Sequence, residues 1–354
     1  MSLLERTIRE IYPQDSEYRD RAKERLDQLA LPHWALGDLM DLSLDLAGIT
    51  RSLAPDVTRK AIITMAGDHG VVAEGVSKFP QEVTQQMVYN FVNGGAGINA
   101  LAKQAGAEVV VVDMGVAADL NDLAEQGKII NKKVGLGTDN IAKGPAMSHA
   151  MATRAVESGI DIVNDLADRV DIFGTGDMGI GNTTPSTAIA AVITKKSIEE
   201  LTGRGTGLDD DQLAHKQQVI KTILECNKPD PKNGLDILHK VGGFEIGGIA
   251  GLIIGAAAKR KPVVVDGFIS TAGALIAIAI EPFVRDYIIC AHRSMEPGHR
   301  AMQEKVGCRP LLDLNMRLGE GTGAALAMNL VEAAVAVLTE VSTFEEAAVA
   351  GADK

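Results

Sequence analysis

Among the 354 residues, one short run sets a lone carboxylate among three glycines: Arg317-Leu318-Gly319-Glu320-Gly321-Thr322-Gly323. If Glu320 faces an apolar ligand it is suited to general-base chemistry, because desolvation raises a carboxyl pKa toward the working range. Its plainer role is a negative charge at a helix N-terminus. A second run, Phe173-Gly174-Thr175-Gly176-Asp177-Met178-Gly179-Ile180-Gly181-Asn182-Thr183-Thr184-Pro185, holds G-x-G-x-x-G ahead of a helical pattern that reaches Lys195. A dinucleotide fingerprint needs a second strand and an acidic residue soon after that helix, whereas a polar loop from Leu201 to Asp211 follows here. Glycines that admit backbone N–H groups to an anion, Thr183 or Thr184 as a cap and Pro185 in the first turn suit a monophosphate instead. An ordinary tight strand-to-helix turn is the bland alternative.

Other runs carry less. Val263-Val264-Val265-Asp266-Gly267-Phe268 looks superficially like the ribose-phosphate loop of transferases that use phosphoribosyl pyrophosphate, but it lacks their adjacent acidic pair. A magnesium-pyrophosphate donor is therefore disfavoured, while a ribosyl donor stays open. In His292-Arg293-Ser294-Met295-Glu296-Pro297-Gly298-His299 the proline and glycine break the helical spacing that would set metal ligands on one face, so no metal site is expected. Asp68-His69 is read as a structural pair. The sequence has neither a Walker motif nor a G-x-S-x-G elbow.

The elements that must position these residues come next. Ala61 to Ala66 is a buried apolar run ending in Gly67-Asp68-His69-Gly70, and similar runs recur at Glu108 to Met114, Val170 to Phe173, Pro262 to Val265, Asp286 to Ala291 and Pro310 to Asn315. Strands without polar alternation, separated by helical patterns, indicate a sheet covered on both faces. The fold expected is α/β, a doubly wound, mainly parallel Rossmann-like sheet over residues 51–330, with ligands outside the carboxyl ends of its strands. Residues 1–50, helical from about Ser16 to Ala47 with a break near Pro32, and residues 331–354 are expected to form a small helical domain. One Ala-rich helix is expected from Thr322 to about Thr339.

Composition excludes several classes. There are only seven Phe, four Tyr and one Trp against 37 Gly, and 35 basic against 47 acidic residues give a formal charge of -12. That charge opposes extended contact with nucleic acid or an anionic membrane, so a bound phosphate would be held locally. The longest apolar stretch, Ile246 to Ala258, is too short and Gly-rich to span a bilayer, and the N-terminus does not read as a signal peptide. Cys226, Cys290 and Cys308 are well separated and odd in number, which suggests no disulfide framework and fits a reducing cytoplasm.

Several long segments, in one order, resemble the nicotinate-nucleotide:dimethylbenzimidazole phosphoribosyltransferase family: AGDHGVVAEGVSKFPQEVTQQMV (66–88), GTGDMGIGNTTPSTA (174–188), GGFEIGGIAG (242–251), VVDGFISTAGAL (264–275), AHRSMEPGH (291–299) and LNMRLGEGTGAALAM (314–328). The resemblance implies transfer of ribose 5-phosphate from nicotinate mononucleotide to a benzimidazole nitrogen in cobalamin lower-ligand assembly, without a cofactor and in a homodimer. It implies Glu320 as general base and Gly179, Gly181, Asn182 and Thr183 as the phosphate loop. Asp177, on the ribosyl side, stands where the family often has Glu. Lys216 is implied as a phosphate-side cation, and Ser77, Gln85 and Leu318 as parts of the benzimidazole pocket. Two other readings stay open from the residues alone: an NAD(P)-dependent oxidoreductase, favoured by a βαβ unit from Val170 to about Gly207, and a non-catalytic nucleotide-binding regulator, favoured by a Glu320 turned away from any cavity.

Overall fold

A computed structural model describes residues 1–205 and 207–350. Thr206, in the polar loop expected after the glycine-rich run, and residues 351–354 of the tail lie outside the described residues. The sheet contains β1 (Lys60–Gly67), β2 (Ala107–Gly115), β3 (Ile130–Asn131), β4 (Ile172–Met178), β5 (Val263–Val265) and β6 (Ile288–Cys290). Their spatial order is β3-β2-β1-β4-β5-β6 and every neighbouring pair is parallel. This is the expected doubly wound α/β arrangement, with its switch point between β1 and β4.

All eight residues of β1 are buried, which explains the missing polar alternation. Ile63 and Met65 join one core with Ile246 and Ile249, while Ile62 and Ala66 join another with Ala324 and Met328. Helices Phe244–Ala258 and Thr322–Glu340 thus cover opposite faces of the central strands. Few aromatic residues are needed because backbones approach closely. Where helix His149–Leu166 crosses Phe244–Ala258, a Cβ on Gly159 would lie 2.0 Å from the Gly248 carbonyl oxygen, and one on Gly251 only 1.8 Å from that of Val156.

The helical pattern expected from Ser16 to Ala47 is two helices, Ser16–Leu26 and Asp38–Thr50, with a break much longer than Pro32 alone imposes. Trp34 and Gly37 within it both have φ of 52°. Ala22, Leu26, Met40 and Ala47 of these helices pack on Val337 and Leu338. The Ser43 hydroxyl donates to the Ala334 carbonyl at 2.7 Å, and Arg25 Nε to that of Leu338 at 2.8 Å. Among the described residues Thr322–Glu340 is long and apolar enough to cross a membrane, a length the count of uninterrupted apolar residues missed; 56% of it is buried in the protein, as in a core helix.

Three expectations need correction. β4 runs through Met178, so Gly174 and Gly176 lie inside a strand and not in the turn after it. Pro310–Asn315 is no strand; Leu311 and Leu312 donate to the carbonyls of Cys290 and Ala291, but Pro310 has no N–H to give and Asp313 to Asn315 are exposed. Cys290 and Cys308 form a disulfide, Cα atoms 5.9 Å apart, because helix Pro297–Val306 returns the chain to the end of β6. The cysteines therefore lose their weight as a sign of a reducing compartment.

Candidate active site

A cavity of about 610 Å³ opens at the carboxyl ends of β4 and β5. Its lining combines apolar side chains, among them Phe79, Val83, Met87, Met178 and Leu318, with the polar ones of Asp177, Asn182, Thr183, Ser294, Glu296 and Glu320. Val83 and Met87 are one turn apart on helix Glu82–Val92, so one helix face supplies both of them.

Glu320 faces this cavity and is only 5% exposed. Its Oε2 accepts the Ile98 N–H at 3.0 Å, at the start of helix Gly97–Ala105. Burial raises its pKa, the nearby Asp266 carboxyl adds to the rise, and the amides of Ile98 and Gly97 oppose it. A carboxylate so placed is a stronger base than an exposed one. Gly319, Glu320 and Gly321 have φ of 84°, 63° and 97°, three successive left-handed residues. The surrounding strands hold that turn: Thr64 Oγ1 on β1 donates to the Glu320 carbonyl at 3.0 Å. A Cβ on Gly176 would lie 2.4 Å from the same carbonyl oxygen, so the glycine in β4 makes room for the Glu320 turn.

Asp177 ends β4 beside the cavity, and its Oδ2 accepts from Asn182 Nδ2 at 3.0 Å. Burial lifts its pKa well above the carboxylate range, and Asp266, Glu245 and Glu320 reinforce this. Gly179 and Gly181 form the turn into helix Thr183–Thr194; Gly181 has φ of 87°, and Gly179 packs on Gly67. Asn182 and Thr183 line the cavity at that helix N-terminus, a place suited to an anion. Lys216 lies just behind, its Nζ donating to Thr183 Oγ1 at 2.7 Å, with burial lowering its pKa to about 8 against the pull of Glu296. The implied phosphate-side residues are thus brought together, although Gly181 and Lys216 are not part of the wall itself.

The benzimidazole candidates divide. Leu318 is 60% exposed and lines the cavity. Ser77 and Gln85 are half-buried and outside its wall; the Ser77 hydroxyl accepts the Phe79 N–H at 3.3 Å, and Gln85 falls between the inward positions Val83 and Met87. Phe79, Val83, Met87, Met178, His292, Ser294 and Glu296 were not singled out as binding residues. The spacing of Val83 and Met87 was the available signal.

The His292–His299 run also behaves differently from a ligand set. His299 accepts the Ser294 N–H on Nδ1 at 2.8 Å and meets Thr271 Oγ1 through Nε2 at 2.9 Å, and burial lowers its pKa to about 3. Among the described residues no group of three or more His, Cys, Asp or Glu is arranged to hold a metal ion. Asp68-His69 is part of a buried acid–imidazole cluster. Burial alone would lower the His69 pKa, but the carboxylates of Glu245, with Oε1 at 2.7 Å, and of Asp68 together outweigh it and the pKa is raised.

The two rival readings meet contrary geometry. After helix Thr183–Thr194 the next strand is β5, beginning at Val263, so no βαβ unit spans Val170 to Gly207 among the described residues. Glu320 faces the cavity and does not turn from it. Residues 11–349 match the family model described as a phosphoribosyltransferase (DBI_PRT). The chain belongs to this family. It is 70% identical over the full length of both chains to the nicotinate-nucleotide–dimethylbenzimidazole phosphoribosyltransferase of Desulfotalea psychrophila. It is 59% identical to that of Syntrophotalea carbinolica over 99% of each chain. The crystal structure of CobT from Thermus thermophilus superposes with a TM-score of 0.90 at 43% identity, covering 95% of this chain and all of that one. Membership of the phosphoribosyltransferase family leaves the oxidoreductase reading without support.

Proposed function

We propose that the cavity transfers ribose 5-phosphate from nicotinate mononucleotide to 5,6-dimethylbenzimidazole, giving α-ribazole 5'-phosphate and nicotinate for cobalamin lower-ligand assembly. The observation that carries this reading is the buried carboxyl of Glu320 in one cavity with apolar side chains and a helix N-terminus. Nicotinate leaves from a pyridinium nitrogen and needs no general acid. The attacking benzimidazole must lose its ring N–H proton, and Glu320 accepts it. The phosphate rests on Gly179, Gly181, Asn182 and Thr183, with Lys216 supplying charge through the Thr183 hydroxyl. Asp177 faces the ribosyl group, while Leu318 with Phe79, Val83 and Met87 encloses the base. Ser77 and Gln85 act at the edge of that pocket. The donor has no pyrophosphate, so no magnesium clamp is required.

The same reading includes a homodimer in which the helices of residues 1–50 and 331–354, a small domain beside the catalytic residues 51–330, help close the partner's site. It also places the reaction in the cytoplasm, because a phosphorylated donor does not cross a bilayer unaided. Mass spectrometry of products from nicotinate mononucleotide and a panel of benzimidazoles and purines tests it. A ribotide of the added base is expected; failure to form one with any base overturns the reading. Sedimentation of the protein as a monomer would overturn the dimer.

A further inference from the structure

Asp266 lies in the run that only superficially resembles a ribose-phosphate loop, and it is not part of the cavity wall. Its carboxylate nevertheless accepts three backbone N–H groups from the loop and helix start that follow Glu320. Oδ2 accepts from Gly321 at 3.2 Å, and Oδ1 accepts from Gly323 at 2.7 Å and Ala324 at 3.0 Å. Asp266 is itself held: its own N–H donates to Thr175 Oγ1 on β4 at 3.0 Å. β1, β4 and β5 therefore all support one turn, in which Glu320 has a left-handed backbone that an L-residue adopts only when its surroundings demand it. Gly323 has no room for a side chain, since a Cβ there would lie 2.8 Å from Asp266 Oδ1 and 2.1 Å from His292 Cδ2.

We propose that Asp266 is the positioning residue of the transfer reaction, its carboxylate fixing the 319–324 turn and so holding the Glu320 side chain against the acceptor. This rests on the reading of Glu320 as the base. Four titratable groups share the site with Asp266: Glu320 on the turn, Asp177 at the end of β4, Glu245 from helix Phe244–Ala258, and His292 after β6, whose Nε2 is 3.6 Å from Asp266 Oδ1. None of the three carboxyl groups compensates the negative charge of Asp266; His292 faces it most closely.

Asp266→Asn is the decisive variant, because it keeps the volume but presents N–H to N–H at one side of the turn and removes the charge beside Glu320. Faster hydrogen exchange at Gly321, Gly323 and Ala324 is expected in the folded variant, a readout that does not depend on the reaction. Turnover should fall at least about tenfold, as misplacement of a base demands, with the KM for nicotinate mononucleotide within about threefold of the parent. The acid side of the kcat/KM profile should move to lower pH, since a neighbouring negative charge no longer opposes ionisation of Glu320. Thr175→Val leaves the charge in place and should lower kcat by less, without moving that profile.

A folded Asp266→Asn protein with parent-like exchange, or with turnover within about threefold and an unmoved profile, overturns the proposal, as does a loss confined to KM. If that variant does not fold, unchanged kcat in Thr175→Val overturns it. A parent enzyme that forms no ribotide would refute the proposed reaction, while the exchange experiment would still decide whether Asp266 holds the turn.

Discussion

Replacing Glu320 by glutamine changes almost nothing in shape and removes the proton acceptor that the proposed mechanism assigns to it. The amide oxygen can still accept the Ile98 N–H that Oε2 accepts at 3.0 Å, so the turn and the start of helix Gly97–Ala105 keep their contact. Stability should not suffer at neutral pH. The folded-state pKa of Glu320 is raised, so between the unfolded and folded values the native protein binds more protons. Stability from this group accordingly falls as pH rises through that window, and an amide escapes the loss. Catalysis should respond differently. A positioned base contributes roughly a hundred- to ten-thousandfold, about 2.7 to 5.4 kcal/mol of barrier. Steady-state turnover of Glu320→Gln with nicotinate mononucleotide and dimethylbenzimidazole should therefore drop at least about a hundredfold, with donor affinity by calorimetry close to the parent. The parent's rate should rise with pH through the elevated Glu320 pKa, and that rise should vanish in the variant. Turnover within about threefold of the parent would refute the assignment of Glu320 as base.

Lys216→Met should raise the donor KM at least about tenfold while kcat changes less, because it removes the cation held on Thr183. In the parent, kcat/KM should fall as pH rises above about 8, where the buried ammonium loses its proton; a flat alkaline side would contradict this role. Proton NMR of the product's anomeric position should show an α-riboside, since one attack on the β-nucleotide inverts once, whereas a β product would make a carboxylate the nucleophile. Dialysis against a chelator should leave activity intact, and a loss restored only by magnesium or zinc would rule out the metal-free mechanism.

The parallel sheet was legible because its strands are buried on both faces: Ala61 to Ala66 carries no polar alternation and reads as β1 without help from distant residues. That Glu320 and Asn182-Thr183 lie at special turns was legible because glycines around a carboxylate or a helix start mark backbone with positive φ. The limits have physical causes. Gly174 and Gly176 serve packing inside β4, yet in a sequence they cannot be told from turn glycines. Phe79, Val83 and Met87 are ordinary apolar residues until the fold brings them to one cavity with Leu318. Asp266 is separated from its three N–H donors by more than fifty residues, and no local spacing announces that contact. The pairing of Cys290 with Cys308 likewise depends on the return path of a helix.

Helix Thr322–Glu340 begins at the turn that carries Glu320 and ends among the N-terminal helices, where Arg25 and Ser43 grip its carbonyls. At 1.5 Å per residue it is a rod about 28 Å long. Rods transmit tilt. A rotation of about 5° around its midpoint moves each end by about 1 Å, and a displacement of about that size at a reacting group is enough to cost on the order of a hundredfold in rate. One helix thus joins the seam between the terminal helices to the turn that carries Glu320. Any change at Arg25 or Ser43 that tilts this rod would also move the 319–324 turn at its other end.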